Sequence, residues 1–268
     1  MHQAYGVLGY PLGHSLSPYL HNRAFQRSGM QRCYFKWEIK PGELSDFMQA
    51  FRTLPLSGAS VTIPYKESII PFLDEVSSEA SEMGAVNTLY LEGNKVVGAN
   101  TDYLGFMAPL KNQDFTSALV LGAGGAARSV LYGLKKLGFT RIYLCNRNKD
   151  KARILADKFQ VQCADWSERN SFGSDILVNT TPLGTKGDNQ DKTPWEFQDF
   201  PFKLVYDLVY NPLQTRLLKQ AEHNRAMTVS GLTMFVHQAR EQFRIWTGQV
   251  FEPEWAEQLL QEKLTVQS

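Results

Sequence analysis

Short apolar runs rich in β-branched residues alternate along this chain with longer stretches in which apolar positions recur every three or four residues. The first pattern suits strands and the second amphipathic helices, and their alternation predicts an α/β protein built on parallel sheet. Early in the chain, strands are predicted at 4–9, 33–39 and 58–62. A helix is predicted over 17–28, where Ser17-Pro18 offers an N-cap and a proline at the first helical position. Another is predicted over 43–52, with Leu44, Phe47, Met48 and Phe51 on one face. Runs at 87–91 and 95–99 flank Glu92-Gly93-Asn94, a hairpin signal. A second βαβ series starts at 117–121 and continues with strands near 141–145, 176–178, 204–207 and 227–229. Helical patterns at about 234–246 and 253–263 end the chain with no strand after them, so they are expected to return to the first domain. The reading is two α/β domains: residues 1–104 joined by 235–268, and a Rossmann-type unit at 105–234, with a hinge near 102–112.

Composition narrows the function. At 268 residues the chain has length for about two domains. Its 28 Lys and Arg against 27 Asp and Glu leave no field to hold a polyanion, which argues against nucleic acid as a partner. Cys33, Cys145 and Cys163 are widely spaced and form no Cys-x-x-Cys pair, which suits reduced thiols better than disulfides or a zinc site. No run of 18 apolar residues occurs, and Met1 to Gly6 lacks a basic segment followed by an apolar one. The expectation is a soluble, cytoplasmic protein, monomer or homodimer, acting on a small molecule away from the membrane.

The most specific local signal lies at the second βαβ series. The apolar run 118–121 ends in Gly122-Ala123-Gly124-Gly125-Ala126-Ala127, and a helical pattern follows to about 137. This is the Gly-x-Gly-x-x-Ala dinucleotide fingerprint between a strand and a helix, where glycines allow a tight turn and the helix N-terminus faces a pyrophosphate. About 20 residues on, where an NAD enzyme would place an acid for the ribose hydroxyls, stand Asn146 and Arg147 with Lys149 and Lys151 nearby. A guanidinium there attracts a 2′-phosphate, so the site reads as favouring NADP(H).

Three polar clusters in the first domain each follow a predicted strand, where open α/β sheets gather ligands. They are Gly9 to Pro18, Val61 to Lys66, and Asn100-Thr101-Asp102. Each has a plain alternative: helix capping for Ser17, a surface charge for Lys66, an Asx turn for the third. Taken with His21-Asn22, Gly84 to Thr88, Asn146-Arg147, Asn179 to Gly184, Asp207 to Pro212, Gly231 to Met234 and Gln238-Ala239, these blocks resemble the shikimate dehydrogenases, in family order over about residues 5–247.

That resemblance implies NADPH-dependent reduction of 3-dehydroshikimate to shikimate, a step of aromatic amino-acid biosynthesis. It implies Lys66 and Asp102 as the catalytic pair and Ser15 and Ser17 as ligands of the substrate carboxylate. Thr62, Asn87, Tyr210 and Gln238 would bind ring hydroxyls or the carboxylate. It assigns Gly122, Ala123, Gly124, Gly125 and Ala126, with Asn146, Arg147, Lys151 and Thr180, to the cofactor, and Leu208, Gly231 and Met234 to the nicotinamide. Closure of the two domains on both ligands is expected. Asn148, Thr181, Thr185 and Thr233 depart from the family's commoner residues. Two other readings stay open: a quinate/shikimate dehydrogenase using NAD or NADP, and a non-catalytic NADP-binding regulatory protein. His14 and His21 are candidates to order the substrate loop, no histidine pair has metal-ligand spacing, and Phe235, Phe243 and Trp246 read as core.

Overall fold

Residues 3–13 and 15–266 are described in a computed structural model of the chain. Among them, two six-stranded sheets account for the alternating pattern, and the chain divides into two units. One contains the chain up to Thr101 together with Gln238–Leu260, and the other contains Asp102–His237 with the residues after Leu260. The segment read as a hinge is helical, at Asp102–Met107 and then as a 3-10 turn at Ala108–Leu110.

The first unit is built on β1 (Gln3–Gly9), α1 (Ser17–Arg27), β2 (Arg32–Glu38), α2 (Leu44–Thr53), β3 (Leu56–Val61), β4 (Glu75–Val76), α3 (Ser78–Met83), β5 (Thr88–Glu92) and β6 (Lys95–Ala99). Its strand order is β2-β1-β3-β5-β6-β4. β1 runs parallel to β2 and β3, whereas β5 is antiparallel to both β3 and β6, so this sheet is mixed. The predicted hairpin is the cause: β5 and β6 meet through Gly93-Asn94, with Gly93 at a φ of 60°. The apolar face of α2 supplies Leu44, Met48 and Phe51 to a core with Leu8, Ala59, Val61 and Leu89. The two-residue β4 carries no alternation to read.

The second unit contains α4 (Asp102–Met107), β7 (Ser117–Leu121), α5 (Gly125–Lys136), β8 (Arg141–Cys145), α6 (Lys149–Phe159), β9 (Gln162–Ala164), β10 (Ile176–Asn179), β11 (Leu204–Asp207), α7 (Arg216–His223) and β12 (Met227–Ser230). All neighbours in the order β12-β11-β10-β7-β8-β9 run parallel. Strands β7, β10 and β11 are buried along their whole length, as expected of parallel strands covered on both faces. Two helices end the chain, α8 (Gly231–Thr247) and α9 (Pro253–Val266). Helix α8 begins three residues before the predicted start. In its later part Trp246 Nε1 donates to Leu89 O at 2.9 Å, which fixes the helix on β5 within the first unit.

The starts of β7 and β10 are joined through Asp175, whose Oδ2 accepts from the Thr116 and Ser117 N–H groups, both at 3.1 Å, and from the Ser117 hydroxyl at 2.8 Å. Lys203 pairs with the other oxygen at 2.7 Å and, with these donors, holds the carboxyl far below the usual aspartate range. Asp175→Ala is expected to lower unfolding free energy by about 2–4 kcal/mol, since it strands the N–H and hydroxyl of buried Ser117 in a charge-assisted cluster. Because the native pKa is depressed, this stabilisation is complete above the ordinary aspartate range and is lost as pH falls toward the native value. Denaturant titrations of both proteins at neutral and acid pH measure it: the difference should shrink on acidification.

Candidate functional site

Backbone hydrogen bonds tie the three polar clusters of the first unit together at the ends of its central strands. Tyr10 N donates to Ile63 O at 3.0 Å, joining the segment after β1 to the segment after β3. Val86 N donates to Lys66 O at 2.7 Å, and Val61 N to Asn87 O at 2.8 Å. Asn87 N in turn donates to Ala99 O at 3.0 Å, at the end of β6. Thr62, Lys66, Asn87 and Thr101 are therefore brought into one neighbourhood from three separate strand ends. Lys66 is half-buried, as is Thr62.

Asn87 is the centre of this group and is 2% exposed. Its Oδ1 accepts from the Thr101 N–H at 2.7 Å and from the Thr88 hydroxyl at 2.7 Å. Its Nδ2 faces Thr101 Oγ1 at 3.0 Å and Gln238 Oε1 at 3.5 Å. Gln238, on α8, thus meets Asn87 directly. Asp102 follows Thr101 directly, opens α4 and is 6% exposed.

Ser15 and Ser17 flank the start of α1, and one expectation about them is corrected. The N-cap is Leu16, with no side-chain cap, and Ser17 is already helical. Ser15 Oγ accepts from Ser17 N at 3.4 Å just ahead of the helix, and the first helical residue is Ser17, one before the proline. Ser17 is buried beside Tyr34, whose phenol is raised in pKa by burial and opposed by Ser60 and Ser17.

Three residues that the sequence reading did not single out extend this site inward. Tyr34, Ser60 and Gln242 form a buried polar row, Tyr34 donating to Ser60 at 2.6 Å and Ser60 to Gln242 at 2.7 Å. Gln242 lies one helical turn after Gln238, and that i,i+4 spacing was the available signal. His21 is also corrected: it is fully buried, stacked on Tyr34 at 4.6 Å and packed near Trp246. Burial lowers its pKa to about 3, and the neighbouring Gln242 side chain opposes the shift without a hydrogen bond of proper geometry. It is a neutral core residue and not a loop-ordering one. His14 lies outside the described residues. Phe243 is core as expected, whereas Phe235 is half-buried and packs 5.3 Å from the ring of Tyr210.

The second unit carries the dinucleotide fingerprint in the expected form. Gly122 follows β7 with φ 111°, and its N–H donates to Cys145 O at 2.8 Å, which sets the glycine turn beside Asn146 and Arg147. Gly124 is the N-cap of α5, has no side chain to cap the first N–H groups, and has open space where a Cβ would stand. A phosphate can therefore approach the uncapped helix N-terminus directly. Ala123, Gly125 and Ala126 complete the turn and the first helical positions. Thr180 closes the other side, its hydroxyl donating to Leu121 O at 2.9 Å.

The phosphate-selective cluster is partly revised. Arg147 is exposed, with no ion pair or hydrogen bond among the described residues, and Lys151 is likewise exposed at the first turn of α6. Lys149 is instead paired with Asp165 at 2.8 Å, which draws its charge away toward the loop after β9. Asn146 Nδ2 donates to Asn148 O at 2.9 Å, and Asn148 N-caps α6 by accepting from Lys151 N at 3.0 Å. An asparagine side chain suits that N-cap position. These residues fit an NADP(H) dinucleotide: open glycine backbone, uncapped helix N-terminus and an unengaged guanidinium.

The segment holding Leu208 and Tyr210 is organised by Asp207, which is fully buried. Its carboxyl accepts from Asn179 Nδ2 at 2.9 Å, Val209 N at 3.1 Å and the Thr215 hydroxyl at 2.6 Å. Burial pushes its pKa up to about 6 against those donors. Gly231 N donates to Val209 O at 3.2 Å, so the start of α8, with Met234 one turn on, rests on the same segment. Burial also raises the phenol of Tyr210. Among the described residues no group of three or more His, Cys, Asp or Glu could hold a metal ion, the three cysteines are unbridged, and no helix is long and apolar enough to cross a membrane.

Comparison with known proteins bears on the same residues. Residues 7–89 match the family model described as the shikimate dehydrogenase substrate binding domain, and residues 231–252 match the shikimate 5'-dehydrogenase C-terminal domain. The NADP(+) shikimate dehydrogenase of Oleidesulfovibrio alaskensis is 48% identical over 92% of this chain and 90% of its own. That of Maridesulfovibrio salexigens is 44% identical over 97% of each. Among solved structures, the shikimate 5-dehydrogenase of Thermus thermophilus in complex with NADP(H) and shikimate superposes with a TM-score of 0.89 at 33% identity, covering 97% of this chain and 99% of that one. With its two α/β units, its glycine turn and its interlocked polar clusters, the chain belongs to the shikimate dehydrogenase family of NADP-dependent oxidoreductases.

Proposed function

We propose that the chain interconverts shikimate and 3-dehydroshikimate with NADP(H), working in the cell as the reductive step toward aromatic amino acids. Residues 1–104 with 235–268 form the substrate-binding and catalytic domain, and 105–234 the NADP-binding domain. The observation that carries this reading is the tethering of Lys66, Thr62, Asn87 and Gln238 in one polar neighbourhood.

NADP(H), when bound, supplies hydride chemistry at a carbon of the substrate ring. The protein's own task is the proton on the oxygen of that carbon. In alcohol oxidation Lys66 takes the hydroxyl proton, and in ketone reduction its ammonium steadies the developing oxyanion and returns the proton. Asp102 completes the proton-handling pair. Ser15 and Ser17 hold the carboxylate, while Thr62, Asn87, Tyr210 and Gln238 bind the ring hydroxyls or the carboxylate. Leu208, Gly231 and Met234 line the nicotinamide, the turn from Gly122 to Ala126 with Thr180 carries the pyrophosphate, and Asn146, Arg147 and Lys151 hold the 2′-phosphate.

Steady-state assays with shikimate and with quinate, each with NADP and NAD, test the assignment. Efficient turnover is expected only for shikimate with NADP. Comparable efficiency on quinate with NAD would favour the broader dehydrogenase, and no turnover of either would favour a binding protein. Arg147→Ala is expected to raise the KM for NADP by about tenfold, the loss of a charge-assisted phosphate contact, with the KM for NAD nearly unchanged. Equal changes for the two cofactors would remove Arg147 from the 2′-phosphate site.

A further inference from the structure

Gln242 is 1% exposed and uses both ends of its amide. Its Oε1 accepts from the Ser60 hydroxyl at 2.7 Å, and Ser60 itself accepts from Tyr34 at 2.6 Å. Its Nε2 donates to Asn87 O at 3.0 Å and to Thr88 Oγ1 at 3.1 Å. A hydroxyl has one proton, so Thr88, accepting from Gln242, directs that proton outward, and it goes to Asn87 Oδ1 at 2.7 Å. The row therefore has one polarity from Tyr34 to Asn87. It also selects one of the two faces an asparagine amide can present. Oδ1 is occupied by Thr88 and by the Thr101 N–H, which leaves the Nδ2 end to Thr101 Oγ1 at 3.0 Å and Gln238 Oε1 at 3.5 Å.

We propose that Gln242 is a positioning residue for the substrate: through Thr88 it reinforces the orientation of the Asn87 amide that the Thr101 N–H also favours, so that Asn87 meets the substrate as a hydrogen-bond donor. This rests on the assignment of Asn87 and Gln238 to the substrate. The row is built from residues of the first unit alone, so the effect falls on substrate binding and not on NADP binding or the proton step.

The test uses Gln242→Met, which keeps the length of the side chain and removes its amide, and Thr88→Val, which removes the hydroxyl and leaves Gln242 in place. Each is expected to raise the KM for shikimate by about tenfold, the worth of one buried hydrogen bond. Expected kcat stays within about threefold and the KM for NADP is unchanged. The double variant should be no worse than the singles, because both act through the same contact. Independently of turnover, the Asn87 side-chain amide resonances should move in Gln242→Met, with Asn87→Asp used only to assign them. Unmoved Asn87 resonances in a folded variant, or equal loss in kcat and in the KM for both ligands, would overturn the proposal. Absence of shikimate turnover in the unmodified protein would instead sink the functional assignment, while the resonances still decide whether Gln242 orients Asn87.

Discussion

Lys66→Ala is expected to lower turnover of shikimate by at least about 100-fold, the lower end for loss of general acid–base help. Lys66 contributes its backbone carbonyl to Val86 N, and that bond survives a change of side chain. Its neighbours Tyr65 and Ile69 keep their places in the core, and Tyr65 still donates to Ile39 O. Shikimate affinity should change far less, because the carboxylate and hydroxyls are assigned to serines, threonine, amides and Tyr210. Steady-state kinetics at saturating NADP separate the two effects. Near-normal kcat would remove Lys66 from the proton step.

Gly122→Ala is the second large effect, and it falls on the cofactor. At φ 111° an alanine is strained regardless of its surroundings. Its Cβ would also press on Thr180 Oγ1 and stand 3.1 Å from both the Thr180 carbonyl carbon and Thr181 Cγ2. Thr180 has little room to retreat, being bound to Leu121 O through its hydroxyl at 2.9 Å and its N–H at 2.8 Å. The glycine turn must shift instead, and with it the approach to the helix N-terminus. Strain of this kind costs of order 1–3 kcal/mol, so the KM for NADP should rise at least about tenfold. Binding of shikimate in the absence of cofactor should be unaltered, since its assigned ligands nearest this turn lie elsewhere in the chain. A variant with unchanged NADP affinity would show that the turn does not carry the pyrophosphate.

What could be read in advance follows the range of each interaction. The turn at Gly122 was legible because a torsional demand is met by one residue type, and the hairpin at Gly93 for the same reason. Strands β7, β10 and β11 were legible because full burial leaves continuous apolar runs such as 118–121, whereas the three-residue β9 was too short to read. The cap of α1 was misread because Ser17 is fit to cap, and only the three-dimensional path shows that Leu16 takes that position with no side-chain cap. His21 was misread because its surroundings, Tyr34 and Trp246, are remote in sequence. Lys149 was misread because its partner, Asp165, lies beyond the following helix and strand. Gln242 was missed although its spacing from Gln238 was visible: Ser60, its acceptor-side partner, is 182 residues away. Local pattern therefore reported the scaffold and the backbone-determined turn, and side-chain partnerships across the fold stayed hidden.

A single-turnover experiment tests the central claim most directly. The protein is mixed with equal amounts of NADPH and 3-dehydroshikimate, the absorbance of the reduced cofactor is followed, and the product is identified. Loss of reduced cofactor matched one-for-one by shikimate, and slowed at least about 100-fold in Lys66→Ala, is the predicted result. No cofactor oxidation, or the same rate in both proteins, would contradict it.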